Sequence, residues 1–292
     1  MKLFELIGNT PLVELEHIPA NPNVKIYCKL EGQNPGGSVK DRAAYSMIKS
    51  ALERGEIRRG DKLVEATSGN TGIALAMIAK VLGVEMTLIM PDNSTKERVI
   101  SMEAYGAKVI LTPAEKTIEY SRTLAEEMAE KEGYFILNQF ANPDNYKAHY
   151  EGTGPEIWGD TKGEITHFVS AMGTTGTIMG VSRYLKEKNP EVQIVGTQPT
   201  DGSSIPGIRR WSPEFLPKIY EASRVDQIID VSQEDATIMT RRMAKEEGIL
   251  AGMSSGGALH AAVKLAETLE SGVIVCITCD RGDRYLSSDL FG

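Results

Sequence analysis

The chain has 292 residues, 41% hydrophobic and 25% charged, an ordinary globular composition with room for one or two domains. A net charge of -8 at pH 7 and a pI near 5.2 argue against nucleic acid or an anionic membrane as the main partner. No apolar run approaches the ~20 residues that span a bilayer, and Met1–Gly8 is too short and acidic for a signal peptide, so a cytoplasmic location is expected.

In chain order, Val- and Ile-rich runs alternate with amphipathic stretches. The pattern predicts a strand over 25–30, a helix over 39–54, a strand over 62–66, a helix over 72–82 and a strand over 86–90. It continues with a helix over 96–105, a strand over 108–111, a helix over 117–132, a strand over 168–171, a helix over 176–188 and a strand over 193–196. Helices over 234–247 and 257–269 and a strand over 273–277 complete it. This alternation implies an α/β fold with mainly parallel twisted sheets covered by helices. The segment 139–146, rich in Asn and Pro, reads as a crossing between two αβ units. A smaller N-terminal domain, 35–144, and a larger one, 1–34 plus 145–292, are expected, with the active site between them. The region 202–217 has little periodicity and much Gly, Pro and Arg, as lids and binding loops do.

Ligands in such sheets gather where strands feed helix N-termini, and four stretches of chemistry fall there. In Gly36-Gly-Ser-Val-Lys-Asp-Arg42, Ser38 reads as a cap and Lys40 sits at the positive end of a helix, where its ammonium form is disfavoured and its amine can be aimed at a carbonyl. The alternative is a solvated lysine beside Asp41 and Arg42. Thr67-Ser68-Gly-Asn70-Thr71-Gly72 offers hydroxyls, an amide and free N–H groups suited to a carboxylate, more than a simple cap requires. Met172-Gly173-Thr174-Thr175-Gly176-Thr177 has the character of a phosphate cradle, although neither a Walker motif nor a G-x-G-x-x-G is present. Gly252-Met-Ser254-Ser-Gly-Gly257 opens the last long helix, either as a cap or presenting a serine to a ligand.

The cysteines Cys28, Cys276 and Cys279 form no disulfide framework; Cys276 reads as core, while Cys279 at a strand end is placed to line a site. The four histidines show no metal spacing, so no metal is expected. Asp280-Arg-Gly-Asp-Arg284 reads as an ion-pair cluster closing the domain, with Asp280 in reach of the site. A reactive lysine, a carboxylate loop, a phosphate cradle and a serine together point to pyridoxal 5'-phosphate and an amino acid. A catalytically silent protein binding an amino acid or phosphate would use the same loops.

With these motifs the chain resembles the cysteine synthase family, fold type II pyridoxal-phosphate enzymes built like the tryptophan synthase β chain. The match runs from Ile7-Gly-Asn-Thr-Pro-Leu12 through Lys29-Leu-Glu-Gly-Gln-Asn-Pro35 to Arg284-Tyr-Leu-Ser287. Ser203-Ser-Ile-Pro-Gly-Ile-Arg-Arg-Trp211 and Cys279–Arg284 resemble the B-type branch. The resemblance implies β-replacement of O-acetyl-L-serine by sulfide, and in that branch also by thiosulfate, in a homodimer. It implies Lys40 as the lysine carrying the cofactor, Asn70 at the ring hydroxyl, Gly173, Thr174, Thr175, Gly176 and Thr177 at the phosphate, and Ser254 at the pyridine nitrogen. Thr67, Ser68, Asn70, Thr71 and Gln139 would grip the substrate carboxylate. Arg209 and Arg210 are candidates for neutralising thiosulfate. Related β-replacement or elimination enzymes, including those using O-phosphoserine, cystathionine β-synthase and the dehydratases, share these features.

Overall fold

The computed structural model describes residues 1–67 and 69–292. In chain order its strands and helices are β1 (Leu12–Glu14), β2 (Val24–Leu30), α1 (Lys40–Glu53), β3 (Lys62–Ala66), α2 (Asn70–Leu82), β4 (Glu85–Pro91), α3 (Lys96–Ala104), β5 (Lys108–Thr112) and α4 (Thr117–Glu132). They continue as α5 (Pro143–Ala148), α6 (Gly154–Asp160), β6 (His167–Ala171), α7 (Gly176–Lys188), β7 (Gln193–Pro199), β8 (Gln227–Val231), α8 (Gln233–Glu247), α9 (Met253–Ala266) and β9 (Gly272–Thr278). Among the described residues no helix is long and apolar enough to cross a membrane.

Two sheets organise these elements. One has the order β1-β2-β9-β6-β7-β8, parallel except for the antiparallel β1–β2 edge; the other is the parallel β3-β4-β5. Strands of a parallel sheet are buried on both faces, which is why they read as near-continuous apolar runs. On the larger sheet, Ile26, Val169 and Ile274 pack against Leu259 of α9 and Met243 of α8, whereas Phe168, Ile194 and Val275 pack against Ile157 of α6 and Ile178 of α7. On the smaller sheet, Leu63 and Leu88 meet Met47 and Ile48 of α1 and Leu75 of α2, and Val64 and Ile89 meet Ala125 and Met128 of α4.

The predicted elements are all present, most with ends shifted by one to four residues, but β1, β8, α5 and α6 are additional. β1 has only three residues, and β8 is a mostly exposed edge strand, so neither carries an apolar signature. α5 and α6 flank a π-helical turn at His149–Thr153, and Gly154-Pro155 reads as a break although Pro is tolerated at the start of α6. α9 starts at Met253 rather than at 257. Its glycines serve packing: a Cβ on Gly256 would lie 2.1 Å from Thr240 Oγ1 and 2.3 Å from the Ala236 carbonyl of α8.

A buried charge cluster joins α1, β2 and α6. Arg42 holds Glu31 through Nε (2.6 Å) and Nη2 (2.8 Å) and Glu156 through both terminal nitrogens (2.7 Å each). Lys29, fully buried, meets Thr10 O at 2.7 Å and Glu156 and Asp160 at 3.0 Å. This cluster fixes the start of α1, and therefore Lys40, against the larger sheet.

Candidate active site

The carboxyl ends of β3, β6 and β9, with the loop after β7, meet over one cleft of about 280 Å³. Lys40, Thr67, Asn70, Thr71, Gln139, Gly173, Thr174, Thr177, Arg209 and Ser254 line it. Ser68 lies outside the described residues.

Lys40 is the first residue of α1, and its N–H donates to Ser38 Oγ at 3.2 Å. Burial lowers the pKa of its ammonium group; the Cys279 and Asp280 charges oppose this. A lysine held this way has a larger neutral fraction, the form that attacks a carbonyl or takes a proton. Cys279 itself is pushed up to about 11, chiefly by burial, so its thiol stays protonated.

Asn70 opens α2. Its Nδ2 donates to Asp280 Oδ2 at 2.7 Å, and its Oδ1 accepts from Arg284 Nη1 at 2.6 Å. Asp280 Oδ2 also accepts from the Tyr285 hydroxyl at 2.6 Å, and Arg284 donates to the Gly36 carbonyl beside the Lys40 loop. One Asn70 N–H remains for a ligand while the amide is locked from both ends. The 280–284 segment therefore divides: Arg281 and Asp283 form an exposed pair, whereas Asp280 and Arg284 point inward, so the ion-pair reading holds for only half of it.

The carboxylate-suited loop faces Gln139, whose Oε1 accepts from Thr71 Oγ1 at 2.9 Å. The Gln139 carbonyl accepts from Asn145 Nδ2 at 2.7 Å, and the same Nδ2 reaches Thr174 Oγ1 at 3.2 Å. Gln139 thus ties the loop after β3 to the loop after β6.

The loop after β6 fits a phosphate. Thr175 caps α7 in a left-handed conformation (φ 68°), and its Oγ1 is buried with no hydrogen-bond partner among the described residues. A left-handed threonine with an unpartnered buried hydroxyl at a helix N-terminus fits the acceptor oxygens of a phosphate. Gly176 and Thr177 form the first turn of α7, with their N–H groups at this mouth. Trp211 Nε1 donates to the Gly173 carbonyl at 2.8 Å and the Arg209 N–H to the Met172 carbonyl at 2.9 Å, stitching the irregular 202–217 loop to this cradle. Ser254, buried in the first turn of α9, supplies an uncharged hydroxyl beside Gly207 and Cys279.

Arg209 lines the cleft, its guanidinium 5.8 Å from the Trp211 ring. Arg210 does not line it: its Nε donates to Pro199 O at 2.9 Å, and its guanidinium pairs with Asp230 and Asp201. Its expected place beside Arg209 is corrected accordingly, because the Asp201 and Asp230 carboxylates and the Pro199 carbonyl hold its guanidinium elsewhere. Sequence reasoning missed Arg98, Arg122, Phe140 and Tyr285, which also line the cleft. Arg122 stacks on Phe140 at 4.6 Å, and Phe140 meets Trp211 edge-on at 5.7 Å. Arg98 and Arg122 lie in no motif; Tyr285 falls within Arg284-Tyr-Leu-Ser287 and Phe140 within the 139–146 segment, but neither is singled out there.

Comparison with known proteins agrees with this geometry. Residues 3–280 match the family model described as "Pyridoxal-phosphate dependent enzyme". The chain is 60% identical over 287 residues to cysteine synthase B of Pseudomonas aeruginosa, covering 98% of this chain and 96% of the relative. It is 57% identical over 290 residues to cysteine synthase B of Escherichia coli, covering 99% and 96%. Among solved structures, a cysteine synthase from Entamoeba histolytica superposes with a TM-score of 0.94 at 40% identity, covering 99% of this chain and 90% of that one. O-ureido-L-serine synthase superposes with a TM-score of 0.93 at 38% identity, covering 99% and 94%. The chain belongs to the pyridoxal-phosphate-dependent enzymes and, within them, to the cysteine synthase family.

Proposed function

We propose that this enzyme is a cysteine synthase that replaces the acetoxy group of O-acetyl-L-serine with sulfide, giving L-cysteine and acetate. The observation that carries this is a pKa-lowered Lys40 between a carboxylate-suited loop and a loop whose buried Thr175 hydroxyl has no partner among the described residues. Pyridoxal phosphate supplies a lysine-reactive aldehyde and an electron-withdrawing ring that acidifies the substrate Cα–H. Lys40 would bind it, with Gly173, Thr174, Thr175, Gly176 and Thr177 at the phosphate, Asn70 at the ring hydroxyl and Ser254 at the ring nitrogen. Thr67, Asn70, Thr71 and Gln139 orient the substrate carboxylate. Lys40 Nζ, in its neutral form, takes the Cα proton as acetate leaves from Cβ.

Ser254 tunes the reaction. A carboxylate at its position would hold the ring nitrogen protonated; a serine supplies no charge. That suits elimination, where the leaving group accepts the electrons, over transamination.

Arg209 at the mouth of the cleft supports thiosulfate as a second donor, through its charge. The division into domains 35–144 and 1–34 plus 145–292, a homodimeric state and a cytoplasmic location belong to the same reading. The experiment is direct. Borohydride treatment of the yellow holoenzyme should fix the reduced cofactor on Lys40, and O-acetyl-L-serine with sulfide should yield L-cysteine. A colourless protein, or cofactor fixed on another lysine, refutes the reading. Arg209→Ala should impair thiosulfate use more than sulfide use, and equal losses remove Arg209 from the donor site.

A further inference from the structure

We propose that Glu65 is a positioning residue, whose buried carboxylate holds the 137–139 backbone and thereby sets Gln139 in register for the substrate's α-carboxylate. This rests on reading the cleft as an amino-acid site.

The chain after α4 returns along the free edge of β3. Phe135 N donates to Lys62 O at 2.8 Å and Val64 N to Phe135 O at 3.0 Å, a parallel bridge between Leu63 and Phe135. Continued pairing at this register would lay Gln139 flat beside Thr67 as one more edge-strand residue. Instead the segment turns at Asn138, which adopts φ 54°. A left-handed residue lets successive N–H groups face one side, forming an anion-binding concavity. The anion there is internal. Glu65 Oε2 accepts from the Asn138 N–H at 3.2 Å, and the Gln139 and Leu137 N–H groups are also directed at this carboxyl. Side chain-to-backbone bonding thus takes over where the backbone ladder stops.

Glu65 is only 5% exposed, and among the described residues no lysine or arginine forms an ion pair with it; Arg122 acts at longer range. Burying a carboxylate without an ion pair is a poor stability device. What the arrangement secures is Gln139, with its side chain on Thr71 and its carbonyl on Asn145, which reaches Thr174. The carboxylate grip and the phosphate cradle are joined through one residue, and Glu65 holds that residue's backbone.

Burial pushes the Glu65 carboxyl up to about 7, against its backbone hydrogen bonds and Arg122, so the hold changes near neutrality. The charged groups sharing its recess are Arg122 and Glu126 of α4 and Glu214 and Lys218 of the 213–218 loop.

The test compares holoenzymes acting on O-acetyl-L-serine and on its carboxamide. In Glu65→Gln, KM for the acid should rise about tenfold, with kcat changed at most about twofold and carboxamide turnover unaffected, because a charge-assisted bond is lost at the grip alone. The wild-type KM for the acid should rise as pH falls through about 7, and this rise should be absent in the variant. Asn138→Val, which disfavours a positive φ, should reproduce the KM loss, whereas Asn138→Gly should not. Equal losses on acid and carboxamide, or identical behaviour of the two Asn138 variants, overturn the assignment. A substrate-free measurement separates it from the amino-acid reading: amide exchange at Asn138 and Gln139 should be at least about tenfold faster in Glu65→Gln than in the wild type. Unchanged exchange overturns the role of Glu65 whatever the substrate; faster exchange in an enzyme indifferent to the carboxylate refutes the amino-acid reading instead.

Discussion

Gly176→Ala tests whether the phosphate cradle depends on Asn145. A Cβ on Gly176 would lie 2.1 Å from Asn145 Oδ1 and 2.6 Å from its Cγ, so Asn145 must move by more than an ångström. Asn145 is 2% exposed and cannot swing into solvent. Moving it breaks its bonds to the Gln139 carbonyl and to Thr174 Oγ1. Two hydrogen bonds at about 1 kcal/mol each, plus about 1–2 kcal/mol of overpacking, give a loss of about 3–4 kcal/mol. Placed wholly on the cofactor site, that is a fall in affinity of roughly 150- to 1000-fold. Asn145→Ala alone should cost about 2 kcal/mol, because it loses the bonds without the clash. The double variant should cost little more than Asn145→Ala, since the alanine leaves room for the new Cβ. Cofactor absorbance retained after dialysis, together with the melting temperature of the holoenzyme, measures all three. Additive costs in the double variant would refute the reasoning, because independent sites add and colliding ones do not.

Further outcomes follow from other parts of the molecule. Ser254→Asp should keep the cofactor but lose most cysteine synthesis, because the negative charge would favour a protonated ring nitrogen; near-normal turnover with cofactor bound would sink the electronic argument. Arg42→Ala leaves the fully buried Glu31 without its two-point partner and should destabilise the fold by about 3–5 kcal/mol in chemical denaturation, whereas a loss below about 1 kcal/mol would mean the cluster is effectively solvated. Asp41 is raised from 3.8 to about 7, chiefly by burial, so its contribution is fully present below pH 3.8 and is lost as pH rises through about 7. Asp41→Asn should therefore gain stability relative to the wild type across that window, by at most about 1.4 kcal/mol per pH unit; a stability difference that does not vary with pH refutes this.

Much of the architecture was legible because the strands are short apolar runs set between glycines and polar turns. β3, α4 and α7 fall at their expected residues for that reason. The cleft loops were legible for a related reason: a glycine and hydroxyl run at a strand end has few structural uses beyond ligand contact. What could not be read is whatever depends on distant approach. Asn70 meets Asp280 and Arg284 across 210 and 214 residues, and no local pattern announces such a meeting. Glu65 looks like one polar residue in a strand until the returning 135–139 segment is placed beside it. Arg209 and Arg210 look equivalent in sequence and part only once Asp201 and Asp230 are placed beside Arg210.

The contacts that were illegible share a physical role. The apolar cores of the two sheets are separate clusters. Many of the connections across the cleft are polar: Gln139 to Asn145, Asn70 to Asp280 and Arg284 to Gly36, while Phe140 on Trp211 is an apolar one. A hydrogen bond exchanged for one with water costs about 1 kcal/mol, whereas uncovering an apolar side chain costs about 1.5–3 kcal/mol. A seam built this way can be remade while both cores stay covered. An enzyme that must admit an amino acid, exclude water during proton transfer and then release product needs such a seam. It also follows that single changes in the seam should alter KM and cofactor affinity more than global stability, and that changes in either apolar core should do the reverse.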